Sequence, residues 1–381
     1  MDATTGGAGN DNFNAVIQGA GATGTTVAPG DVINGGAGTD TLSIAVAGAL
    51  GAAAPYTLSA VQTNDVEKLL VSNFDTTTGG DTEEINTFDG ALMTGLTTVG
   101  LSASSASGDT TFSGLKNIVD VEMSNGSADL TVGYASGVTT GTQTQNVAVS
   151  NVAAGTLTIA GVENVNLSSG LVKSTLTALT ASAMESLTVT GSTDLKITGA
   201  LDFADATSAT AVDGTIDASE FTGKLNVTIG GSDIVDITGG SAADTINMAA
   251  TLTSADTIDG GEGTDTLTMN AATLTTQFAK VSNVENITFN PSVADTAADM
   301  SKLPAGVEKL TLNISDDTDN GTKIAGTVTK ADGKLINIAR TVADDVSAGA
   351  DADVDDDADD GVTLAVTDTV DSTDNTLNLQ L

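Results

Sequence analysis

The segment Asp256-Thr-Ile-Asp-Gly-Gly-Glu-Gly-Thr-Asp265-Thr-Leu267 runs from a glycine-rich turn into an apolar strand. A near copy, Asp31-Val-Ile-Asn-Gly-Gly-Ala-Gly-Thr-Asp40-Thr-Leu42, lies close to the N-terminus. In both, the outer aspartates are nine residues apart. Glycine tolerates positive φ, so each turn is tight and its carbonyls can point inward. The closing aspartate adds a carboxylate, and calcium, a hard cation, takes about six to eight oxygens. The candidate metal ligands are therefore Asp31, Gly36, Gly38 and Asp40 in one copy and Asp256, Gly261, Gly263 and Asp265 in the other. Gly6-Gly-Ala-Gly-Asn-Asp11 is a weaker version that adds Gly7, Gly9 and Asp11. Gly239-Gly-Ser-Ala-Ala-Asp244 has lost its third glycine and adds Asp244. The leading single candidate is Asp265. Turns two apart in such a coil share an edge, which pairs the Asp11 turn with the Asp40 turn and puts Asp31 opposite.

A second pattern runs through the chain: Asp65-Val-Glu67-Lys-Leu-Leu-Val, Gly161-Val-Glu163-Asn-Val-Asn-Leu, Ala183-Met-Glu185-Ser-Leu-Thr-Val, Asn283-Val-Glu285-Asn-Ile-Thr-Phe and Gly306-Val-Glu308-Lys-Leu-Thr-Leu. Each is a small turn, an apolar residue, a glutamate and an alternating strand. Glu163 to Glu185 spans 22 residues and Glu285 to Glu308 spans 23, the length of one solenoid coil. The weightier reading of these glutamates is that they cap turn N–H groups or face solvent, not that they catalyse. The wide gap from Glu67 to Glu163 marks an irregular repeat. Leu58–Asn64 and Leu274–Val281 are expected to form single helical turns.

Composition narrows the rest. Fifty acidic residues, forty of them aspartate, against twelve basic ones give a net charge of −38, which disfavours nucleic acid and anionic membranes as partners. Aspartate is a poor helix former and a good turn residue and calcium ligand, so the excess points to loops and metal. A surface adapted to salt water accounts for the same acidity. Hydrophobic content of 40% in short Val, Ile, Leu and Ala runs argues for many short strands and against disorder. No run reaches the roughly 18 apolar residues of a membrane-crossing helix. The start has neither the basic nor the apolar region of a signal peptide. The chain closes in mid-pattern at Asn375-Thr-Leu-Asn-Leu-Gln-Leu381, and the expectation is a piece of something longer.

With neither histidine nor cysteine there is no Ser-His-Asp triad, thiol nucleophile or HExxH helix. Glycosidase clefts usually carry aromatic platforms, and here tryptophan is absent and Tyr56 and Tyr134 are the tyrosines. The glycine-rich loops lead into strands and end in aspartate, which repels phosphate. The expectation is a protein that is not an enzyme. Ala350-Asp-Ala-Asp-Val-Asp-Asp-Asp-Ala-Asp-Asp360 opens like an EF-hand loop but has Asp356 where that loop needs glycine and Val362 where it needs glutamate. It reads as an acidic surface loop.

The turns at 31–42 and 256–267, and more weakly 6–13 and 239–246, resemble the RTX family of calcium-binding repeats. The Thr/Ala/Gly/Asp-rich texture, the VExLxL strands, the segment Asp217-Ala-Ser-Glu-Phe-Thr-Gly-Lys-Leu-Asn-Val227 and the absence of cysteine are similar to RTX-containing surface-layer proteins of Gram-negative bacteria. The resemblance implies export without a cleaved N-terminal signal (type I secretion), calcium-triggered folding outside the cell, and self-assembly into a two-dimensional surface lattice. Its expected anchor is cell-surface polysaccharide or lipopolysaccharide. The fold expected is all-β: irregular parallel β-solenoid or sandwich segments interrupted by short calcium-binding rolls. Its divisions are a roll at 1–46, a solenoid-like region at 47–238, a second roll at 239–290, and a β-rich region with acidic loops at 291–381. An RTX adhesin with a calcium-stiffened stalk is the alternative, and the roll of a secreted hydrolase is a third reading.

Overall fold

The computed structural model describes residues 3–18, 24–48, 56–75, 86–204, 211–231, 233–249, 252–270, 277–290, 303–304, 306–314, 337–342 and 379–380. The acidic segment 350–360 lies outside them. Within them the protein is all-β, and every strand pairing is parallel. The chain divides into two compact units, 1–205 with 220–223, and 206–219 with 224–381.

In the first unit one sheet is built from Asn12–Gln18, Thr41–Ala47, Lys68–Phe74, Thr98–Ser104, Asp120–Gly126, Thr144–Val152, Asn164–Ser169 and Ser186–Gly191, paired in that order. Between successive members the chain returns through shorter strands, such as Val32–Asn34 and Gln62–Asn64, or Asn86–Asp89, Thr110–Leu115 and Leu130–Tyr134. That alternation is a coil. The period-2 burial of these strands explains the parallel stack, because each coil's inward residue lands on its predecessor's. Leu42, Leu69, Val99, Val121, Val147, Leu167 and Val189 form one such column, all buried. Leu58, Phe88, Phe112, Val132 and Ile159 form another, with the two rings 6.0 Å apart. Each such side chain contributes about 1.5–3 kcal/mol through burial. Outward positions stack too: Thr57, Thr87, Thr111, Thr131, Thr158 and Thr180 form a continuous threonine column.

In the second unit Gly214–Asp217, Val235–Thr238, Thr257–Asp259 and Val281–Ser282 form one sheet. Leu225–Ile229, Thr245–Asn247, Thr266–Asn270, Asn286–Asn290, Lys309–Ile314, Asn337–Val342 and Leu379–Gln380 form the other. Ile216, Ile237, Ile258 and Val281 stack in the first of these, and Val227, Ile246, Leu267 and Ile287 in the second.

The glycine-rich turns are corners of these coils, continuous in register with the VExLxL strands: Thr41 pairs with Lys68, and Thr266 with Asn286. The helical turn expected at 58–64 is absent. Thr57–Leu58 and Gln62–Asn64 are strands on either side of Ala60, whose φ of +57° breaks any helical turn. At 277–280 a single 3-10 turn does occur, the one helical element among the described residues.

Candidate metal centre

Both strict turns seat their closing aspartate in the same way. The carboxylate of Asp40 folds beneath Gly35 at the start of its own turn, as that of Asp265 does beneath Gly260. A Cβ on either glycine would meet that carboxylate at 2.5 and 2.8 Å, and would also collide with the next coil's backbone at Asp65 O or Asn283 O. No other residue fits there. The residue two before each aspartate has positive φ, Gly38 at +137° and Gly263 at +127°.

These turns stack on the coil before. The Ala37 N–H donates to the Gly7 carbonyl at 3.1 Å, and Glu262 N–H to the Gly240 carbonyl at 2.9 Å. The Asp11 N–H donates to Asp40 Oδ1 at 2.7 Å. Asp244 N–H donates to Asp265 Oδ1, also at 2.7 Å. The Asp11 and Asp40 turns therefore share an edge, as do the Asp244 and Asp265 turns. Asp31 and Asp256 lie at the opposite end of the strands Val32–Asn34 and Thr257–Asp259.

Hydrogen bonding sorts the six aspartates. Asp11 Oδ2 accepts from Gly7 N–H at 2.6 Å, and Asp244 accepts from Leu225 N–H (2.8 Å) and Gly240 N–H (2.7 Å). Asp31 accepts from Ala28 N–H. Asp256 accepts from Val235 N–H through one oxygen and from Thr253 through the other. By contrast, Asp40 Oδ2 and Asp265 Oδ2 are buried with no hydrogen-bond partner, on residues 0% and 2% exposed. A buried, unpartnered carboxylate oxygen is costly unless something else neutralises it. Burial pushes the Asp265 carboxyl up to about 6; the bond from Asp244 N–H opposes that rise, and the neighbouring carboxylates of Asp244, Glu285 and Asp259 add to it. Burial raises Asp244 as well, against the bonds from Leu225 and Gly240.

The donor set is oxygen throughout, carboxylate plus glycine carbonyl, and so suits calcium or a similar hard cation. Among the described residues no three acidic side chains converge on one point. A cation held at either edge would therefore draw on Asp40 or Asp265 with main-chain carbonyls of the stacked turns. Gly7, Gly36, Gly38, Gly261 and Gly263 would serve through those turns. Gly9 has open space around it.

The glutamates of the second pattern occupy the same corner. Asp40 N–H donates to Glu67 Oε2 at 2.6 Å, Asp265 N–H to Glu285 Oε2 at 2.8 Å, and Gln143 N–H to Glu163 Oε2 at 2.7 Å. They are caps, as their context suggested. Glu185 and Glu308 are exposed, the other outcome expected of them. Two residues before the glutamate, Asp65 (+51°), Gly161 (+71°) and Asn283 (+50°) repeat the positive φ of Gly38 and Gly263. GGxGxD and the xVE corner are thus two versions of one device: a left-handed residue, a spacer, then a carboxylate. The two look unrelated in sequence because only strand register aligns them. At another set of corners, Asp129 N–H donates to Asp109 Oδ1 (2.7 Å) and Thr156 N–H to Asp129 Oδ1 (2.6 Å). Capping of coil edges, with or without metal, is therefore one use of the aspartate excess.

Compared with protein-family models, curated proteins and solved structures, the chain matches none. The class of protein rests on the fold and the corners alone: an all-β chain of parallel coils with carboxylate-capped edges. None of its helices is long and apolar enough to cross a membrane, among the described residues.

Proposed function

We propose that this is a structural, calcium-dependent, extracellular protein of the RTX surface-layer kind, which self-assembles into a lattice on the bacterial cell surface. The observation that carries the reading is the pair of equivalent edges at which Asp40 Oδ2 and Asp265 Oδ2 are buried without a partner. A divalent cation at each edge neutralises the buried oxygen and cross-links successive coils. Calcium is the natural choice, because extracellular modules work with dissociation constants of roughly 10⁻⁴–10⁻³ M. With a net charge of −38 the copies repel one another until divalent ions screen them, so assembly follows calcium. Self-association is the principal partner interaction, with cell-surface polysaccharide as anchor. The stacked apolar columns suit a load-bearing role. Electron microscopy of the purified protein in a few millimolar calcium should show ordered sheets that dissolve in chelator. Dispersed particles in both conditions would overturn the lattice and favour a stalk.

A further inference from the structure

The GGxGxD pattern ends at its aspartate, but the hydrogen bonding does not. At the first edge the rungs run Asp11, Asp40, Glu67, and at the second Asp244, Asp265, Glu285. In each, the N–H of one rung donates to the carboxylate of the next, while the following coil's N–H donates back to the carbonyl, as Lys68 does to Asp40 and Asn286 to Asp265. The two edges lie in different units and share every one of these contacts. Both also place the glutamate immediately after the aspartate whose Oδ2 is buried and unpartnered. Beyond it the carboxylate ladder stops: Thr97 follows Glu67, and the exposed Glu308 follows Glu285.

We infer that Glu67 and Glu285 are positioning residues of the two cation edges, holding the backbone of Asp40 and of Asp265 so that the free carboxylate oxygen stays turned to the ion. The inference rests on the calcium reading above. Its physical basis is that a ligand's orientation is set by what fixes its backbone, and such outer partners commonly govern affinity by about 10–100-fold. Glu67 and Glu285 are half-buried, so the bond to the N–H is sheltered from competing water. Glu163 makes the same cap to Gln143, where the capped residue carries no carboxylate. It serves as an internal control: the same bond with no ion to position.

The test is equilibrium dialysis of the full chain against radioactive calcium at pH 7, with melting in chelator measured alongside. E67A/E285A should bind calcium about tenfold more weakly, and E67Q/E285Q should recover to within about threefold of the native chain, because the amide oxygen accepts the same two bonds. E163A should lower melting and leave calcium affinity unchanged. Unchanged affinity in E67A/E285A overturns the assignment, whatever happens to melting, since that is the behaviour of a plain structural cap. If the double alanine variant does not fold, E285A alone should weaken uptake at one edge and spare the other; uptake at native affinity in E285A would equally overturn it. D40N/D265N separates cation binding from its positioning. Loss of uptake there with native affinity in E67A/E285A removes only the positioning role. No uptake by the native chain, or full uptake by D40N/D265N, removes the calcium reading and this inference together.

Discussion

The backbone N–H of Asp244 donates to Oδ1 of Asp265, 21 residues later, at 2.7 Å, and leaves Oδ2 of Asp265 buried with no partner. One carboxylate thus fastens two coils with one oxygen and leaves the other unpartnered, the oxygen that the proposed cation would neutralise. Asp11 and Asp40 repeat the arrangement at the other edge.

Asp265 and Asp256 should therefore respond differently to calcium. D265N should abolish most of the second unit's calcium-dependent gain in melting temperature. D256A, which removes the cap on Val235 and Thr253, should cost about 1–3 kcal/mol equally with and without calcium. Thermal melts of both variants in calcium and in chelator decide this. Equal calcium responses would contradict the sorting of the two aspartates.

The pH dependence in chelator follows from the raised Asp265 carboxyl. Its folded value of about 6 lies above the ordinary 3.8, so the folded state holds the proton more tightly than the unfolded chain. Its contribution is most favourable below about pH 4 and is lost as pH rises through about 6. Burial of Asp244 acts in the same direction. The native chain should lose stability relative to D265N over that window in chelator, and calcium should reverse the loss above pH 6. Chelator melts from pH 4 to 7 that run parallel for the two proteins would refute this.

Glycine should matter by position. G260A places a Cβ against the Asn283 carbonyl oxygen and Asp265 Oδ2, and should cost more than about 3 kcal/mol or prevent folding. G9A meets nothing within 4 Å and should change stability by no more than about 0.5 kcal/mol. Denaturant titration of the two variants measures the contrast.

The apolar columns set the stability of the first unit. Phe112 is fully buried between Phe88 and Val132, so F112A should cost about 3–5 kcal/mol, with or without calcium. A calcium-dependent cost would mean that the column and the metal edge are coupled.

Much of this was legible in the residues themselves. The glycine turns, the shared edge of Asp11 with Asp40, the coil spacing of Glu163 and Glu185 and the capping role of the glutamates all follow from turn chemistry and spacing. The three coils between Glu67 and Glu163 were hidden because their corners hold Thr97, Val119 and Gln143, which carry no charge to mark the repeat. The equivalence of the GGxGxD and xVE corners was hidden for a different reason: it depends on strand register, which no local pattern encodes. Which aspartates keep a free oxygen depends on the backbone N–H groups each side chain meets, and for Asp244 those come partly from Leu225 in another coil. At 58–64 a short apolar run fitted helix and strand alike, and stacking against neighbouring coils decided for strand.

The most direct test of the central claim is differential scanning calorimetry of the native chain and D40N/D265N, each in millimolar calcium and in chelator. Calcium at ten to a hundred times its dissociation constant should stabilise the native chain by about 1–3 kcal/mol per edge and raise its melting temperature. D40N/D265N should melt at nearly the same temperature in both buffers. A native chain indifferent to calcium, or a double variant that gains as much from calcium as the native chain does, would contradict the account.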